Sequence, residues 1–122
     1  MGYFFSPTFL RCLLPELKRQ NYTLAIINNG TDLTLDGFKR KNDFSRYFDV
    51  FINSSEEKME KPDPRIYLLT CKKLGVAPEE CIFIDDTEEN VSAANELGMT
   101  GFVYRDYQKL IDNLMSVHVA IA

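Results

Sequence analysis

Three short clusters in this sequence hold residue types that can handle an anion or a hard cation. One is EKPDPRIY, from Glu60 to Tyr67, where Pro62 and Pro64 stiffen the backbone on either side of Asp63. Lys61 therefore projects from a rigid loop just ahead of a helix, and a fixed ammonium is a good counter-charge for a phosphoryl group. The plainer reading is a solvated lysine beside a helix cap. A second cluster is Asp85-Asp86 after the apolar run Cys81 to Ile84, followed by Glu88 and Glu89. Adjacent carboxylates repel one another, and a hard divalent ion such as Mg²⁺ with oxygen ligands relieves that. An exposed acidic turn is the competing account. The third cluster is Asn28-Asn29-Gly30 after the apolar run Leu24 to Ile27. Asn28 can donate side-chain hydrogen bonds to an anion, and Gly30 lets backbone N–H groups approach it. Asn and Gly are also ordinary at a strand-to-turn junction.

The elements that must position these residues follow from the pattern. Helical and strand-like segments alternate, which points to an α/β fold with a parallel sheet flanked by helices. A helix is predicted from Thr8 to Gln20, with Leu10, Leu13, Leu14 and Leu17 at helical spacing and Pro15 as a local objection. Tyr22 to Ile27 reads as a buried strand, 33–41 as a helix, and Tyr47 to Ile52 as a short strand. Asp63 and Pro64 mark an N-cap and first helical residue, and that helix is predicted to run to Leu74 and stop at Gly75. Cys81 to Ile84 is a buried strand, Thr87 caps the next helix, Val91, Ala94 and Leu97 form its inner stripe, and Gly98 ends it. A strand at Gly101 to Tyr104 and a helix from Asp106 to Met115 complete the pattern. In open parallel sheets ligands bind at the carboxyl ends of strands, where both Asn28-Asn29-Gly30 and Asp85-Asp86 fall.

Composition narrows the alternatives. The chain has 122 residues, a net charge of −4, 45% hydrophobic and 26% charged residues, enough for one domain with a modest core. Lys and Arg are scattered, so no nucleic-acid footprint is expected. No apolar run approaches the roughly 20 residues of a membrane span, and Met1 to Pro7 lacks a signal-peptide pattern. Cys12, Cys71 and Cys81 form no CxxC or Cys/His pair and read as buried thiols of a reducing, cytoplasmic setting. His118 is the sole histidine, so chemistry must rest on carboxylates, lysine and amides.

Taken together and in this order, the three clusters resemble motifs II, III and IV of the haloacid dehalogenase-like (HAD) hydrolase superfamily, in its cap-bearing subfamily I. YFDVFINSSE before the lysine, KPDPRIY, and IDDTEENVSAANELGM carry the likeness, which extends from Phe9 to Leu114. The resemblance implies a Rossmann-like parallel sheet and hydrolysis through a covalent aspartyl ester, most often of a small phosphorylated substrate with Mg²⁺. It implies that Lys61 steadies the aspartyl-phosphate, and that Asn28 stands where Ser or Thr is usual, with Asn29 and Gly30 following. By the same likeness Asp85 and Asp86 help to hold the metal, and Asn90 takes the polar position four residues on.

The chain departs from the family pattern in more than the Asn28 position. The nucleophile of the family lies on a DxDx[TV] motif, and none occurs here; the first aspartate is Asp32. The cap that would precede the second motif is missing as well. Residues 1–122 thus read as a partial HAD-like core, expected to be inert alone and to bind Mg²⁺ weakly. In the family the first-motif strand lies between those corresponding to Leu24–Ile27 and Cys81–Ile84. Two strand edges are therefore expected to stand unpaired. The tail Val117 to Ala122, the start Tyr3 to Phe5, or a neighbouring copy could fill the slot; direct pairing of the two strands would exclude all three. Other readings kept open are a non-catalytic module that binds or self-associates, and a fragment of a haloacid dehalogenase. A receiver-like signalling domain lacks its phosphoacceptor aspartate.

Overall fold

The computed structural model describes residues 13–29 and 46–119. Expectations for Cys12, Gly30, the helix at 33–41, the start Tyr3 to Phe5 and the last three residues of the tail lie outside them. In chain order the elements are α1 (Leu14–Arg19), β1 (Ala25–Asn28), β2 (Val50–Asn53), α2 (Ser54–Glu57), α3 (Pro64–Leu74), β3 (Ile82–Asp85), α4 (Glu88–Glu96), β4 (Thr100–Val103) and α5 (Tyr107–Ser116), with a 3₁₀ turn at Pro78–Glu80.

Local chemistry explains most of these boundaries. Pro15 falls in the first turn of α1, where its missing N–H has no helical partner, so the objection to it dissolves. The Asp63 carboxylate accepts from Arg65 N–H at 2.9 Å and caps α3. Gly75 closes α3 at φ 74°, a left-handed conformation that glycine adopts without a Cβ clash. Asp106 caps α5 by accepting from Lys109 N–H at 2.8 Å. Thr87 occupies the cap position of α4 without a side-chain cap bond; its hydroxyl turns to Asp86 instead.

β1 pairs parallel with β2, Ala25 opposite Val50 through Asn28 opposite Asn53. β3 pairs parallel with β4, Ile82 opposite Thr100 through Asp85 opposite Val103. Both β1 and β2 begin three residues later than the sequence pattern indicates, because Tyr22–Leu24 leaves α1 as a connector and Arg46–Tyr47 forms a 3₁₀ turn. The strands alternate their side chains between two cores. Phe83 packs with Ile52, Ile66, Tyr67, Cys71, Ala94 and Met99 beneath α3 and α4. Its neighbour Ile84 packs with Leu13, Leu14, Leu110, Leu114 and Val119 beneath α1 and α5.

Among the described residues the two pairs form two separate sheets, and β1 does not bond to β3. A cleft of about 210 Å³ lies between them, lined by 23–27 on one wall and 81–86 on the other. β3, expected to be fully buried, has Ile82 37% exposed with Phe83 and Ile84 half-buried. One edge of β3 is taken by β4, and among the described residues the other has no strand neighbour.

Candidate functional site

Asn29 and Asp85 both reach Lys61, so the carboxyl ends of β1 and β3 converge on one residue. The Asn29 side chain accepts from Lys61 N–H at 2.9 Å and donates to the Lys61 carbonyl at 3.0 Å. With its backbone held there, Lys61 turns its side chain inward and is only 6% exposed. Its ammonium donates to Asp85 Oδ2 at 2.7 Å and lies 5.9 Å from the Phe83 ring centroid. The solvated-lysine reading is therefore excluded by burial.

Asp85 is held from several sides. Its Oδ1 accepts from Thr87 N–H at 2.9 Å, and its Oδ2 faces the Asn90 amide at 3.4 Å. Burial by itself would raise the Asp85 carboxyl, but the Lys61 hydrogen bond and charge, with the Thr87 N–H, outweigh it and hold it below the usual carboxylate range. The Asp85 carboxyl is thus ionised at neutral pH.

Behind this pair stands Tyr67, which is fully buried. Its hydroxyl donates to the Asn90 carbonyl at 2.7 Å, and its ring meets Phe83 edge-on at 5.1 Å between centroids. Burial pushes its phenol well above the ordinary value. The sequence pattern assigns Tyr67 no role; its spacing six residues after Lys61, on the inner face of α3, is the signal that points to one. Arg105 was missed outright: its guanidinium reaches the Asp86 carbonyl at 3.5 Å and Glu88 at 3.0 Å, adding a cation at the rim. No sequence signal marks it, since β4 brings it there from 19 residues away.

The remaining predicted residues divide. Asn28 is buried at the end of β1 with its amide 3.5 Å from Asn53 Oδ1, at the last register pair of β1 and β2. Asp86 is exposed and lines the cleft with Lys61 and Asp85. Asp85 and Asp86 offer hard oxygen donors side by side. Mg²⁺ is commonly held by one or two carboxylates, with phosphate and water oxygens completing the shell. The pair fits that pattern, although among the described residues no group of three or more His, Cys, Asp or Glu converges. Among the same residues no helix is long and apolar enough to cross a membrane.

The described residues thus form a parallel α/β fold with a buried lysine–aspartate pair at converging strand ends. The chain belongs to the haloacid dehalogenase-like hydrolase family, whose pattern it matches over residues 6–98. It is similar to (S)-2-haloacid dehalogenase 4A of Burkholderia cepacia, 34% identical over 70% of this chain and 37% of that protein. It is also similar to a phosphorylated carbohydrates phosphatase of Thermotoga maritima, 40% identical over 49% of this chain and 28% of that one. Among solved structures it superimposes on a HAD family enzyme of Bacteroides thetaiotaomicron in complex with magnesium and inorganic phosphate, with a TM-score of 0.73 and 30% identity over 85% of this chain and 57% of that one. The chain thus spans well under two thirds of each of these relatives. The resemblance read from the three motifs and the parallel α/β fold both hold.

Proposed function

We propose that this chain carries the phosphate- and cation-holding half of a Mg²⁺-dependent phosphohydrolase site that works through an aspartyl-phosphate. The observation that carries this reading is the Lys61 ammonium, buried 2.7 Å from Asp85 at converging strand ends, with Asp86 beside it. Lys61 neutralises charge on a bound phosphoryl group, and Asn28 and Asn29 supply the amide side of the phosphate cradle. Asn29 acts there through the Lys61 backbone. Asp85 and Asp86 are the residues that would hold Mg²⁺, which when bound withdraws charge from the phosphoryl oxygens.

The nucleophilic carboxylate is the part that the 122 residues do not contain, since no DxDx[TV] occurs in them. We place a strand bearing it in the cleft between β1 and β3, which among the described residues have no strand partner on that side. Such a strand comes from a separate segment, because a second copy of the same 122 residues brings no DxDx[TV] either, and without it the chain is inert. Phosphatase is preferred to dehalogenase because the adjacent carboxylates suit a hard cation, which dehalogenation does not need. The lack of a strand between β1 and β3 among the described residues favours a second reading, a non-catalytic HAD-like module that acts by strand-mediated binding or self-association.

The test is hydrolysis of an aryl phosphate by the purified chain with Mg²⁺, beside Lys61→Ala and beside halide release from a 2-haloacid. Calorimetric binding of inorganic phosphate with Mg²⁺, lost in Lys61→Ala, together with no turnover, is the expected result. Turnover that Lys61→Ala abolishes would mean that a carboxylate of this chain is itself the nucleophile. Metal-independent halide release would favour the dehalogenase reading, and no binding of phosphate at all would favour the module.

A further inference from the structure

Cys71 and Cys81 take no part in the site above, yet the fold brings them together. Cys71 lies in the last turns of α3 and Cys81 immediately before β3, and their Sγ atoms are 3.7 Å apart. Both are free thiols. Cys71 is buried and Cys81 half-buried, and both line the cleft. Cys81 Sγ also points towards the Ala77 carbonyl at 3.5 Å. A disulfide needs an S–S distance of about 2.05 Å, so the sulfurs have roughly 1.7 Å to close. Cys81 follows a 3₁₀ turn rather than a helix interior, so a small rotation there can supply that movement.

We propose that Cys71 and Cys81 form a two-electron redox site, a reversible disulfide that ties the last turns of α3 to the start of β3. The oxidant is a small disulfide such as oxidised glutathione. Cys81, the more accessible thiol, loses its proton and attacks one glutathione sulfur. The S–S bond of glutathione breaks, one glutathione thiolate leaves, and Cys81 is held as a mixed disulfide. Cys71 then loses its proton and attacks Cys81 Sγ, expelling the second glutathione. One small disulfide is reduced to two thiols while two protein thiols become one protein disulfide.

Burial, and then the hydrogen bond to Cys71, push the Cys81 thiol up to about 12. The thiolate is therefore scarce near neutral pH, and oxidation quickens as the pH rises. The bond joins the helix that follows Lys61 to the strand that ends at Asp85, so the oxidised chain holds one wall of the cleft in a fixed position.

The experiment uses the chain with Cys12→Ser, so that only this pair remains. It is incubated with oxidised glutathione at alkaline pH, then alkylated and mapped by mass spectrometry. The expected result is a mass lower by two hydrogens, loss of both alkylation sites, and a linked pair of peptides containing Cys71 and Cys81. Dithiothreitol restores both thiols. With Cys71→Ser added, the reaction should stop at the glutathione adduct on Cys81. A glutathione adduct that persists while Cys71 is present, or two thiols that remain fully alkylatable, would overturn the proposal.

Discussion

The side-chain amide of Asn29 brackets the backbone of Lys61, accepting from its N–H at 2.9 Å and donating to its carbonyl at 3.0 Å. One side chain at the end of β1 thereby sets where the loop before α3 runs, and with it the position of the ammonium. Asn29→Ala removes both bonds, and at about 0.5–1.5 kcal/mol each should cost about 1–3 kcal/mol of stability. Urea unfolding measures that loss. Phosphate affinity should fall as well, and Asn29→Asp, which keeps only the acceptor, should lie between the two. A change within 0.3 kcal/mol of wild type would mean that the bracket is not formed in solution.

Lys61 and Asp85 are buried together, which makes their loss asymmetric. Lys61→Met leaves a buried carboxylate without its counter-charge and should destabilise the chain by about 3–5 kcal/mol. Adding Asp85→Asn removes the stranded charge, so the double variant should be more stable than Lys61→Met alone. A double-mutant cycle in urea decides the matter, and additive losses would show that the two groups are not coupled.

Gly101 in β4 lies against α4, and its N–H donates to the Asn95 side chain at 2.8 Å. A Cβ placed there would come within 2.8 Å of Val91 Cγ1 and 2.9 Å of Asn95 Oδ1. Gly101→Ala is expected to cost about 1–3 kcal/mol through overpacking. The thermal midpoint should drop accordingly, while Gly75→Ala, which meets no atom within 4 Å, pays only for its positive φ.

Asp49 fastens the start of β1 to the segment before β2. It accepts from Lys18 Nζ at 2.8 Å and from Leu24 N–H at 2.8 Å. The Lys18 bond first, and then the Leu24 N–H, hold its carboxyl below the usual carboxylate range. Because the folded value is depressed, the contribution is present above the unfolded value near pH 4 and disappears as the pH falls through the folded one. The group is partly exposed, so screening limits the effect to about 0.5–1 kcal/mol. Asp49→Asn should therefore flatten the acid limb of the stability profile as the pH falls below about 4, and an unchanged limb would discount the clasp.

Legibility differed along the chain for physical reasons. α3 was read to the residue because Asp63, Pro64 and Gly75 act on their own neighbours. The strand starts differ because Tyr22 and Tyr47 suit a strand as well as the connector and the 3₁₀ turn they occupy, and only packing distinguishes them. α2 was missed altogether; four residues, Ser54–Glu57, carry no periodicity that a sequence can display.

The site divides along the same line. By itself the sequence determined the residue types: a lysine between prolines, an acidic pair after an apolar run, and two amides before a glycine, in an order that marks the family. It also implied two strand edges without a neighbour. The pairing of Lys61 with Asp85, the bracket of Asn29, the support of Tyr67 and the arrival of Arg105 were decided by tertiary structure alone. Each joins residues 19 to 32 positions apart. Contacts at such separations depend on how β1, α3, β3 and β4 pack, and on the burial that makes an ammonium seek one particular carboxylate.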